Sequence, residues 1–210
     1  MMEARHEPFH DLARQRSAAE LGLWVFLASE LVFFGGLFAA YALYRHAFPQ
    51  AFTAAGAQTA IWLGTANTVI LLTSSATMAA AVWAGRIGLR RHVLLGLGLT
   101  VLLGLAFMGV KGVEYAKDIG ESLYPGAPGF PIREPGAQVF FSLYWAMTGV
   151  HAVHLCIGIG AVAITFWRVR AGRFDWQRTG LLHVLGLYWH LIDLIWIVLY
   201  PLLYLMGRGT

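Results

Sequence analysis

The 210-residue sequence has few charged residues and a single cysteine. Asp, Glu, Lys and Arg make up 12% of the chain and hydrophobic residues 58%, whereas a soluble domain has about 25% charged residues. A soluble globule of this size could not cover so much apolar surface, which excludes a soluble enzyme and a disordered binder. Cys156 alone permits neither an internal disulfide nor a paired-cysteine metal site. The formal charge of +4 comes from short clusters between apolar runs and does not indicate nucleic-acid binding.

Five long apolar segments predict five transmembrane helices, and therefore an all-α membrane protein built as a five-helix bundle. Each segment is close to the ~20 residues that cross ~30 Å of hydrocarbon. Helix is the expected conformation because every backbone amide in lipid needs an internal partner. The predicted spans cover about 21–44, 60–85, 93–114, 138–167 and 181–207, in one domain of residues 21–207 after a polar tail of residues 1–20. Lys111, near the end of the third span, is expected to extend towards water.

The loop charges predict the direction of the bundle, because short cytoplasmic loops carry an excess of Lys and Arg. One side holds most of them, namely Arg5, Arg14, Arg16, Arg86, Arg90, Arg91, Arg168, Arg170, Arg173 and Arg178. The other side holds Arg45, Lys111, Lys117, Arg133 and Arg208. The N-terminus is therefore expected in the cytoplasm and the C-terminus outside. The proline-containing segment 111–137 is expected to form an ordered cap on the outer face.

Small residues and one proline suggest how the predicted helices pack. Pairs four residues apart allow close helix contact in lipid, and they occur at Gly35/Ala39, Gly36/Ala40, Ser75/Ala79 and Ala76/Ala80. Ordinary packing within the bundle is the expected role of these pairs. Pro201 lies inside the last span and is expected to kink it.

Glu30 is a carboxyl group near the middle of the first predicted span. It lies nine residues into the span, or about 14 Å at 1.5 Å per residue, among apolar neighbours. An ionisable group at this depth is costly, so it is a candidate functional residue. Desolvation favours its neutral form. Two readings stay open: an acid that exchanges protons or controls conformation, and a protonated acid bonded to another helix.

Histidines and acids in the later spans form further candidate pairs. His151 and His154 are three residues apart and share a helix face, as do His190 and Asp193, with Trp196 nearby. A metal site needs more ligands than either pair provides. A carboxylate that orients a histidine is the preferred reading for His190 and Asp193. Glu114 is expected to be a solvated charge, or to pair with Lys117 or Arg133.

The histidine spacing does not favour a pair of stacked membrane haems. His151 and His154 are only about 4.5 Å apart along the axis, and His183 and His190 about 10.5 Å. Two haems need histidines several turns apart on each of two helices. One haem between the fourth and fifth spans stays open as an alternative.

Five segments, in order, resemble one membrane protein family. They are LGLWVFLASELVFFGGLFAAY (21–41), NTVILLTSSATMAAA (67–81), LLGLAFMGVKGVEYAKD (102–118), TGVHAVHLCIG (148–158) and YWHLIDLIWIVLY (188–200). Together these segments are similar to subunit III of haem-copper oxidases, in its short five-helix bacterial form. Ala152 and Leu191 depart from the residues usual in that family.

The resemblance implies a subunit of a respiratory terminal oxidase, most similar to an aa3-type cytochrome c oxidase. It implies that this chain binds no haem, copper or other metal itself, that subunits I and II hold the redox centres, and that phospholipid is bound. It further implies that subunit III packs on subunit I and supports sustained oxygen reduction and proton uptake in a bacterial cytoplasmic membrane. Glu30 matches the carbodiimide-sensitive carboxyl of the family. The remaining matched polar and aromatic positions are expected to be structural: His151, His154, Glu114, His190, Asp193 and Trp196.

Other functions remain open at the level of sequence. The same role in a quinol oxidase is the nearest, and the subunit III-like accessory protein of nitric oxide reductase systems is related. From different classes come a small ion-coupled transporter or channel that uses Glu30, and a dihaem quinone-binding anchor. Five spans do not divide into two equal repeats, which argues against a transporter.

Overall fold

The computed structural model describes residues 12–174, 176 and 180–206, with the side chains of 12–20 and 23 left outside that description. The described residues form helices joined by turns, and no strand occurs among them. The helices are α1 (Leu12–Ala47), α2 (Pro49–Gln58), α3 (Ile61–Arg86), α4 (Arg90–Gly120), α5 (Ala137–Arg170) and α6 (Gly180–Tyr200), and α6 continues into a π-helical turn (Pro201–Leu205). Within this part of the chain, α1, α3, α4, α5 and α6 with its turn are long and apolar enough to span a membrane.

The helix boundaries differ from the sequence-based ones at three places. Helix α1 begins at Leu12, inside the segment assigned to a tail, and residues 1–11 lie outside the described part. Helix α2 was not expected; Pro49 occupies its first turn, where a missing backbone N–H costs nothing. Helix α4 runs on to Gly120, so the outer loop is 121–136 rather than 111–137. Arg5, Arg178 and Arg208 lie outside the described residues, so the direction of the bundle stays a prediction.

Helices α3 to α6 form the tightly packed part of the bundle, and α1 lies at its edge against α5 and α6. Helices α3 and α4 approach closely at Gly96, where an added Cβ would lie 2.7 Å from the Cβ of Ala81 and 2.9 Å from the carbonyl oxygen of Thr77. The small-residue pairs expected on α1 do not pack this way, because nothing lies within 4 Å of an added Cβ at Gly35 or Gly36. Close contact between helices therefore occurs at Gly96 of α4 and not at Gly35 or Gly36 of α1.

Pro201 changes the hydrogen bonding of the last span. The five residues from Pro201 form a π-helical turn, and the N–H of Met206 donates to the carbonyl oxygen of Pro201 at 3.1 Å. Pro201 has no N–H to continue the α-helical ladder, which explains why the bonding pattern changes at this residue. The turn presents Tyr204 to the core, where its ring contacts Gly64.

Loop 121–136 is fixed to the bundle by its own contacts. The indole Nε1 of Trp145 donates to the carbonyl oxygen of Leu123 at 2.9 Å, and Phe130 packs edge-on against Phe141. Gly136 begins α5 with a φ of 97°, and an added Cβ there would lie 2.6 Å from Phe48. This position thus requires glycine both for its backbone and for its contact with the start of α2.

Candidate functional site

Glu30 of α1 reaches His154 of α5. Its Oε2 lies 2.8 Å from the Nε2 of His154, and both side chains are about one-sixth exposed, at 16% and 17%. The ring of His154 packs edge-on against Phe34, one turn along α1 from Glu30. Tyr188 of α6 donates its hydroxyl to the carbonyl oxygen of His154 at 3.1 Å. The buried acid of α1 thus contacts a histidine that ties it to the main bundle.

The two ring nitrogens of His154 face different groups. Its Nδ1 lies 2.9 Å from the carbonyl oxygen of Val150, which can only accept, so Nδ1 carries a hydrogen. Nε2 lies at ion-pair distance from Glu30 Oε2, and this oxygen has no partner in hydrogen-bond geometry among the described residues. The imidazole thus lies between the backbone of its own helix and the acid of α1.

His151 and His154 do not act as one pair, although three residues separate them. The His151 ring faces Phe107 and Trp196 at centroid distances of 5.8 and 5.3 Å, whereas His154 faces α1. His151 is fully buried, and its two ring nitrogens have no hydrogen-bond partner among the described residues. The two histidines therefore serve different helix interfaces.

Lys111 and Glu114 form a buried ion pair near one end of the bundle. Lys111 Nζ lies 3.0 Å from Glu114 Oε2, and the residues are 2% and 0% exposed. Lys111 therefore does not extend to water, and Glu114 is neither solvated nor paired with Lys117 or Arg133. The sequence-based expectations for Lys111 and Glu114 are therefore wrong. Helix α4 continues past both residues, and α5 and the π-helical turn cover them.

Two tyrosines complete this cluster. Lys111 Nζ donates to the hydroxyls of Tyr144 and Tyr204 at 3.1 and 2.7 Å. Tyr204 donates to Glu114 Oε1 at 2.7 Å, and the Tyr144 hydroxyl lies 3.0 Å from the same oxygen and 2.8 Å from Asp118 Oδ2. One hydroxyl proton cannot serve both acceptors of Tyr144. One cation thus faces two carboxyl groups, and the cluster is electrically neutral only when one carboxyl holds a proton.

Aromatic rings surround the ammonium group of Lys111. Its Nζ lies 4.7 to 5.7 Å from four ring centroids, which belong to Tyr115, Tyr144, Trp196 and Tyr204. Ring faces at this distance attract a cation, and the attraction is greatest where water is excluded. The cage joins α4, α5, α6 and the π-helical turn around one charge.

His190 contacts Ser75, which was expected only as a small residue for helix packing. Its Nδ1 lies 2.8 Å from Ser75 Oγ on α3 and 3.7 Å from Asp193 Oδ2 on its own helix. The hydroxyl is therefore the closer partner, and the carboxylate is at ion-pair distance only. The neighbouring Trp189 donates its indole N–H to Ser74 Oγ at 2.9 Å. These contacts fasten α6 to α3.

Trp196 makes the equivalent contact one to two turns further along α6. Its Nε1 donates to Thr68 Oγ1 at 3.1 Å, and its ring packs edge-on against Phe107 at 4.8 Å. Next to Thr68, the buried amide of Asn67 has no partner within the described part of the chain. Hydrogen bonds from tryptophan side chains to hydroxyl groups thus connect α3 and α6 at two places.

Most of the residues that contact the candidate residues, and were not predicted to do so, lie on neighbouring helices. Tyr144, Tyr204 and Ser75 meet the candidate residues only in the folded bundle, so the sequence carries no local signal for them. Asp118 is different: Lys111, Glu114 and Asp118 follow an i, i+3, i+7 spacing, which marks one helix face. That spacing could have identified the cluster.

The described residues contain no group of three or more His, Cys, Asp or Glu side chains placed to hold a metal ion. Cys156 is free and exposed. The titratable side chains of the interior contact one another and neighbouring helices, as in a bundle whose buried polar groups fix helix positions.

The fold and its buried pairs define a helical multi-pass membrane protein, and comparison with known proteins gives the family. The sequence model of "Cytochrome c oxidase subunit III" matches residues 1–208. The chain belongs to this family, and it is therefore a component of an oxidase complex. This confirms the resemblance found in the sequence.

Some relatives are named as cytochrome c oxidase subunits and others as quinol oxidase subunits. Cytochrome c oxidase subunit 3 of Thermostichus vulcanus is 33% identical over 193 residues, which cover 90% of this chain and 87% of that protein. Cytochrome bo(3) ubiquinol oxidase subunit 3 of Pseudomonas aeruginosa is 28% identical over 209 residues, with 96% and 93% covered. Quinol oxidase subunit 3 of Bacillus spizizenii is 30% identical over 193 residues, with 90% and 87% covered.

Proposed function

We propose that this chain is a non-catalytic subunit III of an aa3-type cytochrome c oxidase. It binds no haem, copper or other metal; it packs on subunit I, beside the redox centres of subunits I and II. It binds phospholipid and supports sustained oxygen reduction and proton uptake by the complex. Its location is a bacterial cytoplasmic membrane, with the N-terminus in the cytoplasm.

The observation that carries this proposal is that the buried polar residues contact one another and neighbouring helices. Glu30 contacts His154, Lys111 contacts Glu114, and His190 contacts Ser75. Each of these candidate residues therefore has a partner within the bundle that holds its side chain in place. A redox subunit needs several ligands around one point, and the residues named here are instead distributed over three helix interfaces.

The exposed face of α1 supports a role within an assembly. Few residues of its membrane-spanning part are buried, and Trp24, Leu31, Val32 and Phe33 are exposed. Within the described part of the chain, helix α1 contacts α2, α5, α6 and the π-helical turn, where Tyr41 donates its hydroxyl to the carbonyl oxygen of Leu202. A face this apolar at the edge of a membrane protein suits lipid or a second subunit.

A quinol oxidase is the second candidate complex. Relatives from Pseudomonas aeruginosa and Bacillus spizizenii carry quinol oxidase names at an identity close to that of the cytochrome c oxidase relative. The electron donor binds elsewhere in the proposed complex, so the sequence of this chain separates the two poorly, and Glu30 in place of an aspartate at the buried position favours cytochrome c.

Purification of the tagged full-length chain in a mild detergent tests the proposal. We expect subunits I and II to copurify with a haem a spectrum and with oxidation of cytochrome c. Haem b or o with quinol oxidation would support the second candidate. Isolation of the chain alone, with a pigment bound to it or with ion transport into vesicles, would contradict the proposal.

A further inference from the structure

The buried cluster around Lys111 contains one more acid than cations. Lys111 is 2% exposed, Glu114 is 0% exposed and Asp118 is 4% exposed. The next charged side chains of α4 pair with each other, since Lys117 Nζ lies 3.8 Å from Glu121 Oε1 on the exposed side of the helix. A second buried carboxylate would leave a net negative charge away from water, which costs far more than a neutral carboxyl group. One of the two buried acids therefore holds a proton.

The contacts of Lys111 indicate which acid is ionised. Its Nζ has three oxygen partners, Glu114 Oε2 at 3.0 Å and the hydroxyls of Tyr144 and Tyr204 at 3.1 and 2.7 Å, which match the three hydrogens of an ammonium group. The surrounding ring faces also favour a cation. The Tyr204 hydroxyl accepts from Lys111 and donates to Glu114 Oε1 at 2.7 Å. Glu114 thus faces donors at both of its oxygens, as a carboxylate does.

The single hydroxyl hydrogen of Tyr144 locates the proton. This hydroxyl lies 3.0 Å from Glu114 Oε1 and 2.8 Å from Asp118 Oδ2, so with both acids ionised one of the two contacts would have no hydrogen. With a proton on Asp118, Asp118 donates to Tyr144 and Tyr144 donates to Glu114, and every short contact of the cluster holds one hydrogen. A proton on Glu114 would also fill the contacts, but it would remove the charge that faces Lys111 at 3.0 Å.

We infer that Asp118 is a proton-binding site, a neutral carboxylic acid that donates through the Tyr144 hydroxyl to the Glu114 carboxylate. Asp118 lies in the last turn of α4, and its carbonyl oxygen accepts the N–H of Leu123 in loop 121–136 at 2.8 Å. The ligand is a proton exchanged with water at this end of the bundle. Its loss leaves one hydroxyl hydrogen between two carboxylates, which weakens the contact between α4 and α5.

The charged and titratable groups around Asp118 come from three elements. They are Lys111, Glu114 and Glu121 of α4, the hydroxyl of Tyr144 on α5, and the hydroxyl of Tyr204 on the π-helical turn, which acts through Glu114. Among the described side chains, no cation lies within ion-pair distance of Asp118. Arg208 is a further cation of the sequence and lies outside the described residues, so its charge needs a variant of its own. The site goes beyond the proposed function, because it requires no partner subunit, redox centre or lipid.

Infrared difference spectroscopy tests the site, because a protonated carboxyl group has a C=O stretch that a carboxylate lacks. The sample is the full-length chain at neutral pH with the subunits that copurify with it. The spectrum of the unmodified protein minus that of Asp118→Asn cancels all other carboxyl groups. We expect this difference to contain one protonated carboxyl band, which moves in D2O and in protein labelled with carbon-13 aspartate, and does not move with carbon-13 glutamate. Glu121→Gln is the matched control, because this exposed acid of the same helix should remove no such band.

A second variant tests the charge count without changing Asp118. In Lys111→Met the cluster has no cation, so both acids should be neutral and a second protonated carboxyl band should appear. That band should move with carbon-13 glutamate, since it belongs to Glu114. Asp118→Asn retains a neutral side chain with an N–H donor for Tyr144, so it should fold even where Lys111→Met does not.

Three results would overturn the inference. The first is a difference spectrum of Asp118→Asn that contains no protonated carboxyl band. The second is a band that moves with carbon-13 glutamate, which would place the proton on Glu114. The third is a protonated carboxyl band that appears only in Arg208→Gln, which would show that Arg208 neutralises the second acid in the unmodified protein. None of these results bears on the oxidase assignment, which is tested by the copurified subunits.

Discussion

Among single residues, Lys111 has the largest expected effect on stability. In Lys111→Met the carboxyl groups of Glu114 and Asp118 stay buried without their cation. Removal of one member of a buried ion pair commonly costs about 3–5 kcal/mol in free energy of unfolding. We expect a destabilisation of this size, measured by denaturant-induced unfolding of the purified protein in detergent.

Lys117→Met is the matched control for Lys111→Met. Lys117 lies on the same helix at 3.8 Å from Glu121, and its side chain is 49% exposed. An exposed pair of this kind contributes less than about 1 kcal/mol. The double variant Lys111→Met/Glu114→Gln should recover part of the stability lost in Lys111→Met. If Lys111→Met and Lys117→Met lowered the free energy of unfolding equally, the buried cluster around Lys111 would contribute no more to stability than an exposed ion pair.

Glu30→Gln is expected to preserve assembly and most of the initial oxidase activity. The glutamine amide can donate to the Nε2 of His154, so the contact between α1 and α5 persists without a titratable acid. Glu30→Leu removes that contact and serves as the comparison. The measurements are subunit content and the initial rate of oxygen uptake. Loss of oxygen reduction in an assembled Glu30→Gln complex would mean that the acid takes part in the reaction.

Asn67 is a buried amide that has no protein partner among the described residues. Replacement of such a group by an apolar residue of similar volume is close to neutral or stabilising. Asn67→Leu is therefore expected to leave the unfolding midpoint unchanged or to raise it, whereas Thr68→Val should lower it through the loss of the Trp196 bond. A marked loss of stability in Asn67→Leu would indicate that the amide has a partner in the assembled complex.

At the scale of helices, the contact between α3 and α4 depends on Gly96. Its added Cβ would meet a backbone oxygen at 2.9 Å, and that oxygen cannot rotate away. We expect Gly96→Ala to destabilise the protein by about 1–3 kcal/mol, the usual cost of overpacking. Gly109→Ala on the same helix is the control, since nothing lies within 4 Å of its added Cβ. A thermal unfolding series that ranked the two variants equally would contradict this description of the interface.

The sequence predicted the spanning helices better than the short elements and the helix ends. Long apolar runs give a signal that depends only on local composition, so the five helices of the described part that are long and apolar enough to span a membrane were predicted. Helix α2 is only ten residues long, so a search for apolar runs that could cross a membrane does not detect it. The end of α4 was placed too early because Lys111 was treated as a residue at the water interface.

At the scale of the whole molecule, the candidate residues could be predicted but their partners could not. Glu30 was identified by its depth in an apolar segment, which is a local property. That His154 is the residue facing it depends on which helices are neighbours, and His151 at the same spacing faces Phe107 and Trp196 instead. A single sequence carries the periodicity of each helix and not the arrangement of the bundle.

The supporting role of this chain is tested most directly by oxygen uptake of the oxidase purified with and without it. The proposed function predicts a comparable initial rate in both preparations, followed by a faster decline during turnover where the chain is missing. An assembled complex with its haems in place that reduced no oxygen without this chain would contradict the account, because the chain would then belong to the catalytic apparatus.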